Sequence, residues 1–327
     1  MTRIGYGTYV GPGAGEGLEL REEIQLTEAA GFDAIFFSEH HGTERYPPSP
    51  LALASYALGA TTTLRSGPMP LLLPLHDPVR VAEEAALLDV VSGGRLVLGL
   101  AAGYLPRDFE QVGIPVDERG PRLDEGLDVI HRVWHGEPQD FHGRFSTFSS
   151  TGPLTYPPEG GRLPVLIASS AVPGLRRAAR WGAGVMIDSL RATAGVAKVA
   201  ARYRELCAEA GRRPATVGAI RRIWLGDEAE SERFIAAFGA ELERYLEQVG
   251  PGRGPVAKAL HDTGVTREAI LDRVFVGEPE AVADGLGAWA DAAGIDYVML
   301  KVQWGKRVFE QIKQQLERAA VVCARLG

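Results

Sequence analysis

The amino-acid sequence predicts an α/β fold, a (β/α)8 TIM barrel with insertions. Short apolar runs alternate with longer segments of helical period along the 327 residues, which is the pattern of strand-helix units on a parallel sheet. Eight such units can be read from the sequence, the number that closes a barrel. An open, doubly wound sheet is the alternative, but no G-x-G-x-x-G motif follows a predicted strand. The whole chain, 1–327, is therefore expected to be one barrel domain.

The first four units are predicted within residues 4–135. Strands are expected at 4–9, 33–37, 65–73 and 95–100. Gly31 ends the first helix, 18–30, and the helices 51–63 and 79–91 each open with an N-cap residue followed by proline. These two openings are Ser49-Pro50 and Asp77-Pro78. The fourth helix is marked by an apolar stripe at helical spacing: Leu123, Leu127, Ile130, Val133 and Trp134.

The second half of the chain continues the alternation, with two interruptions. Residues 136–163 are expected to form an excursion with a small hairpin, and residues 227–272, which are charged and contain a Gly/Pro-rich stretch, are expected to be an insertion. The remaining strands are predicted at 164–168, 185–187, 217–225 and 297–302. The remaining helices are predicted at 172–181, 193–210 and 279–293, followed by one that begins near Phe309.

Composition narrows the class of protein. The formal charge is −7, and the 35 Lys and Arg are scattered among 42 acidic residues, so nucleic-acid binding is not expected. Cys207 and Cys323 are too few and too far apart to indicate a disulfide framework or a zinc site. No signal-type segment and no run of ~20 apolar residues is found. A cytoplasmic enzyme without a membrane anchor is expected.

His40 is the first candidate for chemistry. It follows the apolar strand 33–37 directly, which places it on the rim where barrel enzymes carry their reactive groups. A histidine there can transfer a proton near neutral pH, or it can simply bond to backbone carbonyls. Glu39, His40 and His41 also suggest a metal, but adjacent residues of an extended segment point to opposite faces. No metal site is predicted.

Two further segments end predicted strands. Pro68 and Pro70 flank Met69 at the end of the third strand, where proline indicates either a cis bond that sets the backbone against a flat ligand or an edge kink. Ser169, Ser170 and Ala171 follow the fifth strand.

The Ser169 to Ala171 segment opens a helix, and its position favours either an anion site suited to phosphate or an ordinary N-cap. Arg119 and Arg122, which begin the fourth helix, could reach the same rim or remain solvated.

Four linked motifs resemble the bacterial luciferase-like family of flavin-dependent monooxygenases. Their order and spacing match as well, and the resemblance is strongest over residues 32–135. The motifs are Glu39-His40-His41-Gly42-Thr43-Glu44, Leu58-Gly59-Ala60-Thr61-Thr62-Thr63-Leu64, Leu73-Pro74-Leu75-His76-Asp77-Pro78-Val79-Arg80-Val81-Ala82-Glu83 and Leu87-Leu88-Asp89-Val90-Val91-Ser92-Gly93-Gly94-Arg95.

The resemblance implies a fold and a reaction. The family fold is a (β/α)8 barrel with a late insertion, which agrees with the units read above. Its members use reduced FMN, supplied by a separate flavin reductase, and O2 to form a C4a-peroxyflavin that oxygenates a small organic substrate. A related branch uses the deazaflavin F420 for hydride transfer. A third possibility is a flavin-binding protein without catalysis.

The resemblance also implies roles for individual residues. His40 corresponds to the histidine near the flavin, and the family's cis peptide at the end of the third strand falls on Met69-Pro70. The fifth-strand loop, which contacts flavin phosphate, falls on Ser169, Ser170 and Ala171. Five further residues are candidates either for walls of the pocket or for packing of the barrel: Phe36, Phe37, Tyr104, Met186 and Trp224.

This sequence departs from the family at one cofactor contact. A reactive cysteine and an adjacent phosphate-binding arginine after the fourth strand fall here on Ala101 and Ala102. We therefore expect Ala102 beside the cofactor, and Arg122 or Arg177 to meet the phosphate charge. The Ala-rich helices 51–63 and 79–91 are the elements through which family members dimerise, so a homodimer is expected.

Overall fold

The structure of the protein, a computed structural model, describes residues 3–8, 15–42, 46–135, 139–150, 163–249, 258, 260–262, 264–302 and 307–327. Its strands are β1 (Arg3–Thr8), β2 (Ala34–Phe37), β3 (Arg65–Pro68), β4 (Leu71–Leu72), β5 (Leu98–Ala101), β6 (Gln139–His142), β7 (Thr147–Ser150), β8 (Val165–Ala168), β9 (Gly184–Ile187), β10 (Val217–Leu225), β11 (Val274–Gly277) and β12 (Tyr297–Lys301). Its helices are α1 (Gly17–Ala29), α2 (Pro50–Ala60), α3 (Pro78–Ser92), α4 (Pro106–Glu110), α5 (Arg119–His135), α6 (Val172–Trp181), α7 (Thr193–Glu209), α8 (Glu228–Val249), α9 (Arg267–Leu271), α10 (Pro279–Ala293) and α11 (Phe309–Leu326).

The strands form a parallel barrel, which confirms the predicted fold class. Their order is β3-β2-β1-β12-β10-β9-β8-β5-β4, and β11 pairs with β10 outside this path. The first and last strands of this order, β3 and β4, are consecutive in the sequence and lie end to end at one position of the barrel, so the sheet closes on itself. Ser66 of β3 bridges to Leu96, just before β5, while β4 pairs with β5 itself. The open-sheet alternative is therefore excluded.

The closure requires glycine where the backbones approach. A Cβ atom on Gly67 of β3 would lie 1.7 Å from the carbonyl oxygen of Val97, so no larger residue fits there. The peptide between Met69 and Pro70, which links β3 to β4, is cis. This confirms the expectation that the family resemblance placed on these two residues.

The core has two main layers. The barrel interior is filled by one group of buried side chains, and a larger group packs the outer faces of the strands against the helices. The interior group consists of Ala34, Phe36, Met69, Val97, Leu166, Met186, Tyr297 and Met299. A separate cluster contains Trp224, Phe234 and Phe238, and it joins α8 and α9 to the carboxyl-terminal part of β10.

Most predicted elements agree with the observed ones within a few residues. The hairpin expected in 136–163 is β6 and β7, which pair antiparallel, whereas residues 151–162 lie outside the described residues. The insertion at 227–272 contains α8 and α9, and its Gly/Pro-rich stretch at 250–255 is also not described. Strand β11 was not predicted.

The two predicted N-caps differ. Asp77 accepts hydrogen bonds from the amides of Val79 and Arg80, whereas Ser49 occupies the cap position without a side-chain bond. Among the described residues, no helix is long and apolar enough to cross a membrane.

Candidate active site

A cavity of about 670 Å3 opens at the carboxyl ends of the barrel strands. That volume lies within the range of small-molecule and cofactor sites. Among the described residues, each strand of the barrel path except β1 contributes lining residues, which lie on the strand or just after it. The predicted residues that line it are His40, Met69, Pro70, Ala102, Tyr104, Arg119, Ser169, Ala171, Arg177 and Met186.

His40 is held by a buried carboxylate. Its Nδ1 atom lies 3.0 Å from Oδ2 of Asp108, and the other oxygen of Asp108 accepts the backbone amide of His41 at 2.9 Å. Burial alone would raise the pKa of Asp108, but the hydrogen bonds from His40 and His41 outweigh it and lower the pKa. Asp108 is therefore an anion, so we assign a proton to Nδ1 of His40. The Nε2 atom remains available at the cavity wall.

The neighbouring residue, Glu39, stabilises the loop after β2 through hydrogen bonds. Its buried carboxylate accepts hydrogen bonds from Nε2 of His41 and Nε2 of His76, both at 2.7 Å, and from the amide of Leu72 at 2.6 Å. These contacts join the end of β2 to the turn after β4. Glu39 and His41 thus fix the backbone that presents His40.

The Ser169 turn follows β8, which lies three strands round the barrel from β2 across the β3–β4 wall and β5. Ser169 accepts the amide of Ala171 at 3.2 Å, and Gly174 of α6 leaves room for it, since a Cβ there would lie 2.1 Å from the Ser169 hydroxyl. Ser170, by contrast, turns away and donates to Asp188 at 2.5 Å. Ser169 and Ala171 line the cavity, and Ser170 does not.

The two arginines expected near the phosphate occupy different places. Arg122 bonds to Glu118 at 2.9 Å, and its guanidinium lies 4.4 Å from the ring centre of Phe145. It is absent from the cavity wall as described. Arg177 lines the cavity and forms a bidentate pair with Asp124, at 2.7 and 2.8 Å. Of the two, the structure brings Arg177 to the site, because α5 directs Arg122 towards the hairpin.

Three of the expected wall residues lie elsewhere. Phe36 fills the barrel interior below the cavity, Phe37 faces the helices, and Trp224 joins the cluster of α8 and α9. Only Met186 and Tyr104 of that set line the cavity. Alternation along β2 explains the difference between the two phenylalanines, because successive side chains point to opposite faces.

Two charged residues of the site, Asp108 and Lys301, were not predicted from the sequence, because neither belongs to a recognisable motif. Asp108 lies on the short helix α4, 68 residues from its partner His40. Lys301 ends β12 and lines the cavity. Burial, and then the charge of Arg222, lower the pKa of Lys301 to about 7. The only available signal was position, since Lys301 lies one residue before the end of the predicted strand 297–302.

Comparison with models of known protein families gives a match that spans most of the chain. Residues 4–297 match the model of the luciferase-like monooxygenases. The chain belongs to that family. The resemblance found in the sequence is thereby confirmed, together with the prediction of a luciferase-like oxidoreductase.

Individual relatives of this luciferase-like chain match to different extents. The oxygenase component of a flavin-dependent trigonelline monooxygenase from Acinetobacter baylyi is 26% identical over 322 residues, covering 92% of this chain and 87% of that protein. Two other curated relatives match over a shorter stretch, which spans about half of their own length, 48% and 52%.

Solved structures share the fold. The oxygenating constituent of 3,6-diketocamphane monooxygenase from Pseudomonas putida, in complex with FMN, has a TM-score of 0.83 at 20% identity and covers 100% of this chain and 98% of that one. An F420-dependent secondary alcohol dehydrogenase has a TM-score of 0.78 at 19% identity and covers 98% and 99%. At these identities the likeness concerns architecture.

Proposed function

We propose that this protein is a monooxygenase that uses reduced FMN and O2 to oxygenate a small organic substrate. The observation that carries the proposal is that one cavity brings together His40, backed by Asp108, and the Ser169 turn. The family match and the named flavin-dependent relative support it. A separate flavin reductase is proposed as the source of reduced FMN.

The residues of the cavity fit such a cofactor. Ser169, the amino end of α6 and Arg177 offer hydroxyl, amide and guanidinium groups for a phosphate. Met69, Pro70 and Ala102 offer apolar or small surfaces beside which a flat ring fits. When bound, reduced FMN would supply the electrons that activate O2.

His40 is proposed to move the proton that this chemistry needs. Because Asp108 holds Nδ1, the Nε2 atom can accept or donate a proton at the cavity wall. Apolar residues of the same cavity, including Leu72, Ile167 and Met186, would limit the access of water to the reacting atoms.

Anaerobic titration followed by mixing with O2 tests the proposal. We expect reduced FMN to bind at least about tenfold more tightly than reduced F420. Bound FMN should be reoxidised more slowly than free FMN, because the cavity shields it from water. His40→Asn should bind FMN equally well but release hydrogen peroxide faster, whereas His142→Asn, on the exposed hairpin, should behave as the wild type.

Tight binding of F420 with no reaction with O2 would instead establish the second candidate, an F420-dependent hydride transfer. That candidate is favoured by the F420-dependent dehydrogenase that shares the fold.

We further propose that the chain forms a homodimer in the cytoplasm. Tyr56 on α2 and Leu87 and Val91 on α3 are exposed by 44%, 41% and 69%, which is apolar surface available for close packing. The two cysteines are free and buried, in keeping with a reducing compartment. Sedimentation velocity tests the dimer, and Val91→Glu should shift it towards monomer.

A further inference from the structure

Two histidines lie one helical turn apart at the carboxyl end of α5. His131 and His135 occupy positions i and i+4 of that helix, which ends at His135, and both are exposed. Side chains at this spacing are neighbours on one face of a helix. Neither histidine lines the cavity of the candidate active site. The pair is therefore separate from the groups that the proposed function uses.

The two imidazole rings are in contact with each other. Their centres lie 3.9 Å apart, and their planes are inclined by 22°. Trp181, the last residue of α6, packs beside the pair, with its ring centre 5.3 Å from that of His131. Because one helix carries both rings and an indole supports one of them, an ion that bridges the rings restricts few additional rotatable bonds. The pair is thus preorganised for chelation.

A hydrogen bond fixes the tautomer of one ring. Nδ1 of His135 lies 2.7 Å from the backbone carbonyl oxygen of His131. A carbonyl oxygen can only accept, so we assign the proton to Nδ1, and the lone pair of the neutral ring is then on Nε2. Metal-binding histidines are commonly oriented in this way, with one nitrogen bonded to a carbonyl and the other bound to the ion. His135 is therefore arranged as a ligand.

The surroundings of His131 favour its neutral form. Partial burial, and then the positive charge of His135, lower the pKa of His131. Arg132 and Arg212 act in the same direction, and the carboxylate of Asp128, which pairs with Arg132 at 2.9 Å, opposes them. Since that carboxylate is already paired, an ion here is held by imidazole lone pairs. Such ligands suit Cu2+, Ni2+ and Zn2+, whereas Mg2+ and Ca2+ need oxygen ligands.

The protein supplies two ligands at this site, and water supplies the rest. Among the described residues, no group of three or more His, Cys, Asp or Glu side chains could hold a metal ion, so no third ligand of these types is expected from that part of the chain. The last carbonyl groups of α5 carry a partial negative charge because they end the helix. That charge favours a cation beside the pair.

We propose that His131 and His135 bind one divalent transition-metal ion through their Nε2 atoms, and that Cu2+ binds most tightly. Each nitrogen lone pair displaces one water molecule from the ion, and nothing is oxidised or reduced. The ion connects two successive turns of α5. This helix also carries Asp124, which pairs with Arg177 of the cavity wall, so the ion stabilises an element that supports the cavity from outside. The proposal goes beyond the proposed function and does not depend on it.

Calorimetric titration of the full, untagged chain tests the proposal with four probes: Cu2+, Ni2+, Zn2+ and Mg2+. We expect the tightest site to take one Cu2+ per chain, at least about tenfold more tightly than Ni2+ or Zn2+, because affinity for nitrogen ligands follows that order. Electron paramagnetic resonance of the bound Cu2+ should show two nitrogen ligands. Binding of Cu2+ no tighter than that of Mg2+ would overturn the proposal.

Single substitutions assign the ion to the pair. His131→Asn and His135→Asn should each lower the affinity for Cu2+ at least about tenfold, because each removes one of two linked ligands. The resonance spectrum of each variant should show one nitrogen fewer. His142→Asn, an exposed histidine on the hairpin, is the matched control and should leave the binding of Cu2+ unchanged. Full affinity in both variants of the pair would place the ion elsewhere and contradict the proposal.

A change of spacing separates chelation from the mere number of histidines. His135→Asn combined with Arg132→His keeps two histidines but puts them at i and i+1, which do not face each other. The affinity for Cu2+ should stay at the level of His135→Asn alone, and its full recovery would refute chelation across one turn. Circular dichroism without metal should show the helix content of the wild type in every variant, since these side chains lie at the surface. A loss of affinity is then a loss of ligands and not of the helix.

Discussion

The two ends of the barrel are built from the same strands but arrange their polar groups in opposite ways. At the amino end, Oε1 of Glu28 accepts the backbone amides of Thr62, Thr63 and Leu64, at 2.9, 2.7 and 3.1 Å. Arg95 donates to the carbonyls of Leu58 and Leu64, at 2.8 and 2.9 Å. Both of these charges are therefore satisfied by hydrogen bonds within the protein, and the contacts connect helices to strands.

At the carboxyl end, charged and polar groups border open space instead. His40, Ser169 and Lys301 each end or follow a strand and line the cavity. We call the amino end the closed end and the carboxyl end the open end. Two of the family motifs, at 58–64 and 87–95, supply contacts that stabilise the closed end. Glu39 and His40, from another motif, belong to the open end. In barrels of this kind the carboxyl end carries the reactive groups, and the amino end contributes to stability.

The largest effect is expected at the open end, from Asp108→Asn. An amide can present either its oxygen or its NH2 group to Nδ1, so His40 is no longer held in one tautomer, and substrate turnover should fall about 100-fold or more. The binding of FMN should change little. Steady-state oxygen uptake with and without substrate, together with the yield of hydrogen peroxide, measures the loss.

A matched control for this substitution is Asp291→Asn, on the exposed face of α10. It should retain full turnover. Unchanged turnover in Asp108→Asn, at all pH values from 6 to 9, would show that His40 does not depend on the buried carboxylate.

A smaller effect is expected where the phosphate is proposed to bind. Arg177→Met removes a guanidinium from the cavity wall, and the affinity for FMN should fall about tenfold, as expected for one charge-assisted contact. The affinity for riboflavin, which lacks the phosphate, should stay the same. Fluorescence titration with both flavins measures the difference.

The adjacent residue provides the control, because Arg176 lies on a surface cleft and not on the cavity. Arg176→Met should leave both affinities unchanged. A parallel loss of FMN and riboflavin binding in Arg177→Met would indicate damage to α6 through Asp124 rather than the loss of a phosphate contact.

The elements of the fold could be predicted because their signals are local. The predicted bounds of α6, β10 and α10 coincide with the observed ones, since capping residues, prolines and apolar periodicity lie within each segment. Strand β11 was missed because it pairs with β10 outside the barrel path, so the count of eight barrel units did not require it.

The candidate site was predictable only in part, because side-chain direction depends on contacts between distant segments. His40 and Ser169 follow strands directly, so their place on the rim could be inferred. Arg122 could not be distinguished from Arg177, since the choice depends on how α5 rotates against the hairpin. Asp108 is brought to His40 by a five-residue helix without an apolar stripe.

The smallest effect is expected at the closed end, from Glu28→Gln. The carboxylate accepts several backbone and hydroxyl hydrogen bonds from residues 62–64, and although burial opposes it, these bonds lower its pKa from the ordinary 4.5 to about 2. Because the group is near the surface, the loss at pH 7 should be about 1 kcal/mol of unfolding free energy. Turnover should be unaffected, which is the reverse of Asp108→Asn.

The pH dependence identifies Glu28 as the source of this stability. A carboxylate with a lowered pKa in the folded state stabilises the protein above its unfolded pKa, and that contribution disappears as the pH falls from about 4.5 towards 2. The difference between wild type and Glu28→Gln in urea unfolding should therefore be full at pH 7 and shrink as the pH approaches 3. Glu243→Gln, on the exposed face of α8, should show no such convergence. A difference that stays constant down to pH 3 would mean that the contacts of Glu28 at the closed end do not depend on its charge.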